Sequence, residues 1–146
     1  MTHAGQRYYE MPQAIRLNNG PRYLSPGAQA PVGVAIAASI GGATASPDRT
    51  VVVVIGDGSR QTNIQELQTH AHHQLNAKLF VIDNGGCAAI RKMQRVFFNG
   101  HFVGSNPDCG VTLREMAPDE GVDFPVMLAS VPDYSSSNPA LEMLGG

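Results

Sequence analysis

The run Thr50-Val51-Val52-Val53-Val54-Ile55 constrains the fold more than any other stretch of this chain. A continuous β-branched segment suits a strand buried on both faces, as in a parallel sheet. A second apolar run, Lys78-Leu79-Phe80-Val81-Ile82, follows it. Between the two, Ile64, Leu67, Ala71 and Leu75 recur at helical spacing with Asn63 as the cap, which predicts a helix over 63–75. Strand, helix and strand in so short a length form a right-handed crossover between parallel strands, and this brings both carboxyl ends to one edge. Open α/β sheets bind their ligands at that edge.

Both runs end in residues suited to a cation and a phosphate. Gly56-Asp57-Gly58-Ser59 follows the first, and Asp83-Asn84-Gly85-Gly86 ends the second. A carboxylate, an amide oxygen and main-chain carbonyls can take oxygen positions on a hard cation, while glycines let the main chain approach a phosphate. Mg²⁺ suits this set, and Ca²⁺ would tolerate it. The rival readings are a plain turn built from Asp and Gly, and a dinucleotide loop. The latter needs a glycine where Gln61 stands, and no Gly-Lys-Ser/Thr sequence supports a P-loop.

The rest of the chain fits one α/β unit. Its 146 residues and 42 % hydrophobic content can supply a core. Residues 1–31 are rich in Pro and Gly and read as an arm of loops; 32–131 read as the folded domain; 132–146, with Ser135-Ser136-Ser137 and Gly145-Gly146, read as a flexible tail. Small residues from Val32 to Ala45 predict a closely packing helix that starts near Gly33. Cys87 to Val96 reads as another helix, 97–111 as a long loop and Phe124 to Val131 as a late strand. A net charge of −2 offers no basic surface for nucleic acid, and no apolar stretch is long enough for a membrane. Cys87 and Cys109 make no disulfide framework and the N-terminus shows no secretory pattern, so a reduced, cytoplasmic setting is expected.

Other reactive residues have structural readings. His70 and His73 lie three apart, yet no Glu or Cys completes a zinc set, and His70 falls on or near the apolar stripe as a packing liability. Cys87 reads as a small core-filling residue rather than a reactive thiol. Glu66 reads as a structural hydrogen-bonding residue rather than an acid–base group.

From Arg22 to Val111 the chain resembles the diphosphate-binding domain of thiamine diphosphate (ThDP) enzymes, within them the acetolactate synthase-like decarboxylases and carboligases. The motifs are Arg22-Tyr23-Leu24-Ser25, Gly33 to Gly41, Gly56-Asp57-Gly58-Ser59 with Asn63 to Thr69, Asp83-Asn84-Gly85-Gly86, Ile90-Arg91, Phe97-Phe98-Asn99-Gly100 and Val103-Gly104-Ser105. The resemblance implies a parallel sheet with helices on both faces, and Mg²⁺ held by Asp57, the Asn84 side-chain oxygen and the Gly86 carbonyl. It further implies diphosphate at Gly56, Gly58 and Ser59, with Ala30, Val32 and Gly33 against the cofactor's rings. The substrate implied is a small 2-oxo acid. Partners implied are a pyrimidine-domain subunit, which supplies the activating glutamate, or further copies of the chain.

The chain departs from that family in two ways. Nothing in it resembles a pyrimidine domain, and between Val111 and Phe124 a strand–helix unit of roughly 25 to 30 residues is missing, more than loop variation explains. Val32 replaces a methionine, Ala37 a proline, Arg60 an aromatic, His70 an aliphatic residue and Cys87 a tyrosine. Two readings follow: a cofactor-binding subunit or fragment active only with a partner domain, or a non-catalytic remnant that keeps the fold. In either case apolar surface is expected around Val32 to Ile36 and from Phe97 to Val111.

Overall fold

The computed structural model describes Met1, residues 11–109 and the backbone of the strand at 126–130. The expected tail lies outside these residues. Three strands, β1 (Val51–Gly56), β2 (Ala77–Asp83) and β3 (Val126–Ser130), form a parallel sheet in the order β1-β2-β3. Val53 pairs with Leu79 and Leu79 with Val126, while Gly56 pairs with Ile82. The expected strands are therefore present within a residue or two of their predicted ends. β3 lies directly beside β2, consistent with a domain shortened near its C-terminus.

Alternation decides which residues enter the core. Val53, Ile55, Leu79 and Val81 share one face and are buried. They pack with Ala35 and Ile36 of α1 (Val34–Ala45) and with Leu67. Each Val, Ile or Leu side chain among them contributes about 1.5–3 kcal/mol on burial. On the other face Val52 is exposed and Val54, Phe80 and Ile82 are half-buried, with the arm around Met11 and Ile15 lying near β1. The free edge of β1 is engaged by Met1, whose carbonyl accepts from the Val54 N–H at 2.9 Å.

The connection between β1 and β2 differs from the single predicted helix. α2 (Asp57–Thr62) begins where β1 ends, residues 63–65 turn, and α3 (Glu66–His72) resumes. Asn63 is a cap, but of the C-terminus of α2. α3 stops before Leu75 because Gln74 takes a left-handed conformation, φ 49°. The Leu75 N–H then bonds His70 O at 3.1 Å and the Gln74 N–H bonds Ala71 O at 3.2 Å, the Schellman pattern of a helix end.

His70, expected on or near the apolar stripe as a packing liability, does lie in the buried α1–α3 contact. It is fully buried, with Nε2 2.8 Å from Ser39 Oγ. Ser39 spends its one proton on Ile36 O at 2.6 Å, so Nε2 carries the hydrogen and donates. α1 and α3 are thus joined by a polar pair inside an apolar contact.

α4 (Ala88–Phe97) follows β2. The apolar surface expected near residues 97–111 is present: Phe97 is 70 % and Phe98 62 % exposed. The other expected patch shrinks to Val32, 51 % exposed, because Ala35 and Ile36 form the inner side of α1.

Candidate functional site

Parallel register brings the end of β1 beside the end of β2, and Asp57 is almost wholly buried there at 1 % exposure. Its Oδ2 accepts the Gly86 N–H. Asp83 Oδ1 accepts the Gly85 N–H at 3.0 Å and shapes the turn after β2. The Asn84 amide places one of its two terminal atoms in this turn, 3.1 Å from Asp57 Oδ1 and 3.0 Å from Gly86 O. Rotated by half a turn, the same amide would donate its NH₂ to both.

The spacing can be tested against a metal. Oxygens about 2.1 Å from an octahedral cation lie about 3.0 Å apart along each octahedron edge. The inward atom of the Asn84 amide stands at that separation from each of its two neighbours, so its oxygen would fit such an edge when turned inward. With its nitrogen inward the amide bridges Asp57 and Gly86 by hydrogen bonds, and with its oxygen inward it would complete an all-oxygen set of the kind hard cations prefer. Electrostatics agree. Burial, above all, pushes the Asp57 carboxyl above the usual carboxylate range. The N–H groups of Gly86 and Gly58 pull it back, and the nearby charge of Asp83 pushes it up again. Among the described residues no three His, Cys, Asp or Glu side chains group to hold a metal, so the zinc reading gains no support.

Close packing and a buried arginine hold the turn. A Cβ at Gly58 would stand 2.6 Å from Cys87 Sγ and 3.3 Å from the Gly86 carbonyl carbon, so a side chain there would have to displace the Cys87 thiol and press on the Gly86 turn. Arg91 reaches back from α4: Nη1 donates to Gly85 O at 2.5 Å and Ser105 O at 2.9 Å, and Nη2 to Asn84 O at 2.7 Å. Cys87 is half-buried, and burial followed by the Asp57 charge pushes its thiol up against the opposing pull of Arg91. That disfavours a thiolate, as expected for a filling residue.

A second turn meets the first through α2. Gly33, the cap of α1 at φ 83°, donates its N–H to Ser59 Oγ at 2.7 Å. Asn63 Nδ2 donates to Gly33 O at 3.1 Å. Of the residues singled out from sequence, Asp57, Asn84 and Gly86 converge, Gly56 caps α2, Gly58 packs on the Gly86 turn, and Ser59 joins Gly33. Ala30 and Val32 sit in the turn that Gly33 closes. Sequence reading missed the roles of Thr62, Asn63, Asp83 and Arg91. The signal for Arg91 was its place three residues after buried Ala88, on the inner side of α4.

A cavity of about 800 Å³ lies elsewhere, between the N-terminal arm and β1. Met11, Leu17, Val52 and Val54 line it with Arg22 and Arg49 at hand, and it shares no residue with the Asp57 cluster. It contains none of the residues that the sequence singled out for a cation and a phosphate, so the chemistry is assigned to the Asp57 cluster.

Residues 3–140 match the family described as thiamine pyrophosphate enzyme, C-terminal TPP binding domain. The large subunit of acetolactate synthase isozyme 1 of Escherichia coli K12 is 35 % identical over 107 residues, covering 73 % of this chain and 19 % of that protein. Acetolactate synthase of Arthrospira platensis is 34 % identical over 95 residues, 64 % of this chain and 16 % of that one. An alpha-keto-acid decarboxylase of Mycobacterium avium is 35 % identical over 87 residues, 60 % and 14 % respectively. The chain therefore spans less than a fifth of the length of these relatives. It belongs to the C-terminal ThDP-binding domains of acetolactate synthase-like enzymes, whose cofactor is thiamine diphosphate.

Proposed function

We propose that this chain binds thiamine diphosphate through Mg²⁺ and serves as the cofactor-binding part of a 2-oxo acid decarboxylase or carboligase. The observation that carries this reading is the convergence of the Asn84 amide with Asp57 Oδ1 and Gly86 O, at 3.1 and 3.0 Å, at the shared edge of β1 and β2. Asp57, Asn84 and Gly86 would hold the metal. Gly56 and Gly58 leave room for the diphosphate, and Ser59, whose Oγ already accepts from Gly33, would offer its main-chain N–H. Ala30, Val32 and Gly33 would face the rings. When bound, the cofactor supplies the carbanion chemistry that releases carbon dioxide from a 2-oxo acid. This chain's residues bind and orient it, and the activating carboxylate comes from a pyrimidine domain on a partner subunit or another copy. Among the described residues no helix is long and apolar enough to cross a membrane, and we place the protein in the cytoplasm. The second reading, a non-catalytic relative that keeps the fold, is favoured by Arg60, buried where the family has an aromatic residue.

Titration calorimetry with ThDP and Mg²⁺ tests the binding claim. Asp57→Ala is expected to abolish Mg²⁺-dependent binding and His72→Ala, on an exposed position, to leave it unchanged. Equal losses in both would place the site elsewhere. The chain alone is expected to show no turnover of pyruvate; turnover free of contaminating enzyme would refute the need for a pyrimidine domain.

A further inference from the structure

We infer that Asn63 is a positioning residue: it fixes the turn carrying Ala30, Val32 and Gly33 relative to the Asp57 oxygens, and so governs affinity for the ring portion of the cofactor but not for its diphosphate. The inference rests on the function proposed above.

Gly33 is held on three sides by one short helix and its cap. Its N–H is taken by Ser59 Oγ and its carbonyl by Asn63 Nδ2, at 2.7 and 3.1 Å. Thr62 walls the third side, since a Cβ on Gly33 would meet Thr62 Oγ1 at 2.0 Å. Thr62 is itself fixed, because Oγ1 donates to Ser59 O at 2.8 Å. The helix that carries these groups begins at Asp57 and is six residues long, a rigid spacer of about 9 Å at 1.5 Å per residue. At its first residue it meets the Asn84 and Gly86 oxygens, and at its far end it grips Gly33. The two turns therefore share one ruler.

Asn63 is the member of this grip that is separable from the diphosphate end. Ser59 stands beside the proposed diphosphate position. Asn63 lies beyond the end of α2, and its side chain donates to Gly33 O. Losing it frees the entry to α1, which has no side-chain cap of its own, while the bonds from Gly86 and Arg91 around the oxygens remain. A rigid turn contributes to affinity by lowering the ordering cost of binding.

The experiment compares two probes, ThDP with Mg²⁺ and inorganic diphosphate with Mg²⁺, on the full chain by calorimetry. The wild-type chain is expected to bind ThDP more tightly than diphosphate. Asn63→Ala is expected to weaken ThDP about tenfold, the scale of one lost hydrogen bond, and diphosphate less than about twofold. Asn63→Asp keeps the side-chain shape and removes the donor; it is expected to give the same split and serves if the alanine variant fails to fold. Equal weakening of both probes, no weakening of either, or equal wild-type affinity for the two would overturn the inference and leave metal-diphosphate binding intact. Failure of the wild-type chain to bind either probe would overturn the proposed function and this inference with it.

Discussion

α1 and α4 point their side chains in opposite senses. α1 turns Ala35, Ile36 and Ala43 inward and leaves small residues such as Ala37, Ala38 and Gly41 outside. α4 buries Ala88 and Arg91 and exposes Ile90, Met93, Val96 and Phe97. The first helix is placed by the apolar area it removes from water. The second is tied to main-chain carbonyls that need donors, and its apolar side is left for a further surface. A helix beside a core wants methyl groups inside, whereas a helix beside a functional turn wants hydrogen bonds.

The comparison is most sharply broken in the core. Leu67→Ala, at the α1 and α3 contact, is expected to cost about 2–5 kcal/mol in denaturant unfolding, through lost transfer energy and a cavity. Arg91→Ala is expected to cost about 1.5–3 kcal/mol, the scale of charge-assisted hydrogen bonds, and to weaken Mg²⁺-dependent diphosphate binding as well. Arg91→Lys should not restore binding, because an ammonium cannot reproduce the forked contacts to Asn84, Gly85 and Ser105. If Arg91→Ala melts like wild type and binds equally well, α4 is not held by its arginine. Met93→Ser combined with Phe97→Ser should move stability by no more than about 0.5 kcal/mol per site. Light scattering should show less self-association in that variant, since exposed apolar patches mark partner or aggregation surfaces.

The smallest effect concerns the polar pair inside the α1 contact. Burial, chiefly, holds His70 below its ordinary value of 6.5, against the pull of the Ile36 carbonyl and Glu66. Below pH 6.5 the unfolded chain therefore binds more protons than the folded one. The His70 contribution is complete above that pH and is lost as pH falls through the lowered folded value. Melting curves from pH 8 to 5 should show this decline, and His70→Leu should flatten it. An unchanged slope in that variant would assign the acid sensitivity to other groups.

These differences mark what the sequence could disclose. The two apolar runs declared β1 and β2 because a long β-branched segment has few other uses, and with them came the shared edge and the pairing of Asp57 with Asn84. α2 was invisible, because Asp57-Gly58-Ser59-Arg60-Gln61-Thr62 has no apolar stripe. It is short and sits between a strand end and the turn it grips. Asn63 was recognised as a cap, but a cap signal does not reveal that the side chain reaches a carbonyl thirty residues earlier. Arg91 was hidden by the rule that apolar residues go inside, which fails where the inside is lined by carbonyl oxygens. Gln74 was hidden because sequence rules reserve the left-handed helix end for glycine or asparagine.

The two-sided amide of Asn84 also bears on how fast the site can be loaded. Without a cation, the side chain can turn over and donate to Asp57 and Gly86, so the turn keeps its shape instead of opening. If these oxygens hold a cation, as proposed, loading would require one side-chain rotation rather than ordering of a loop, and the slow step would pass to the ion. Mg²⁺ gives up its waters reluctantly. Ca²⁺, with looser demands on geometry, would enter the same three oxygens sooner and fit them less well.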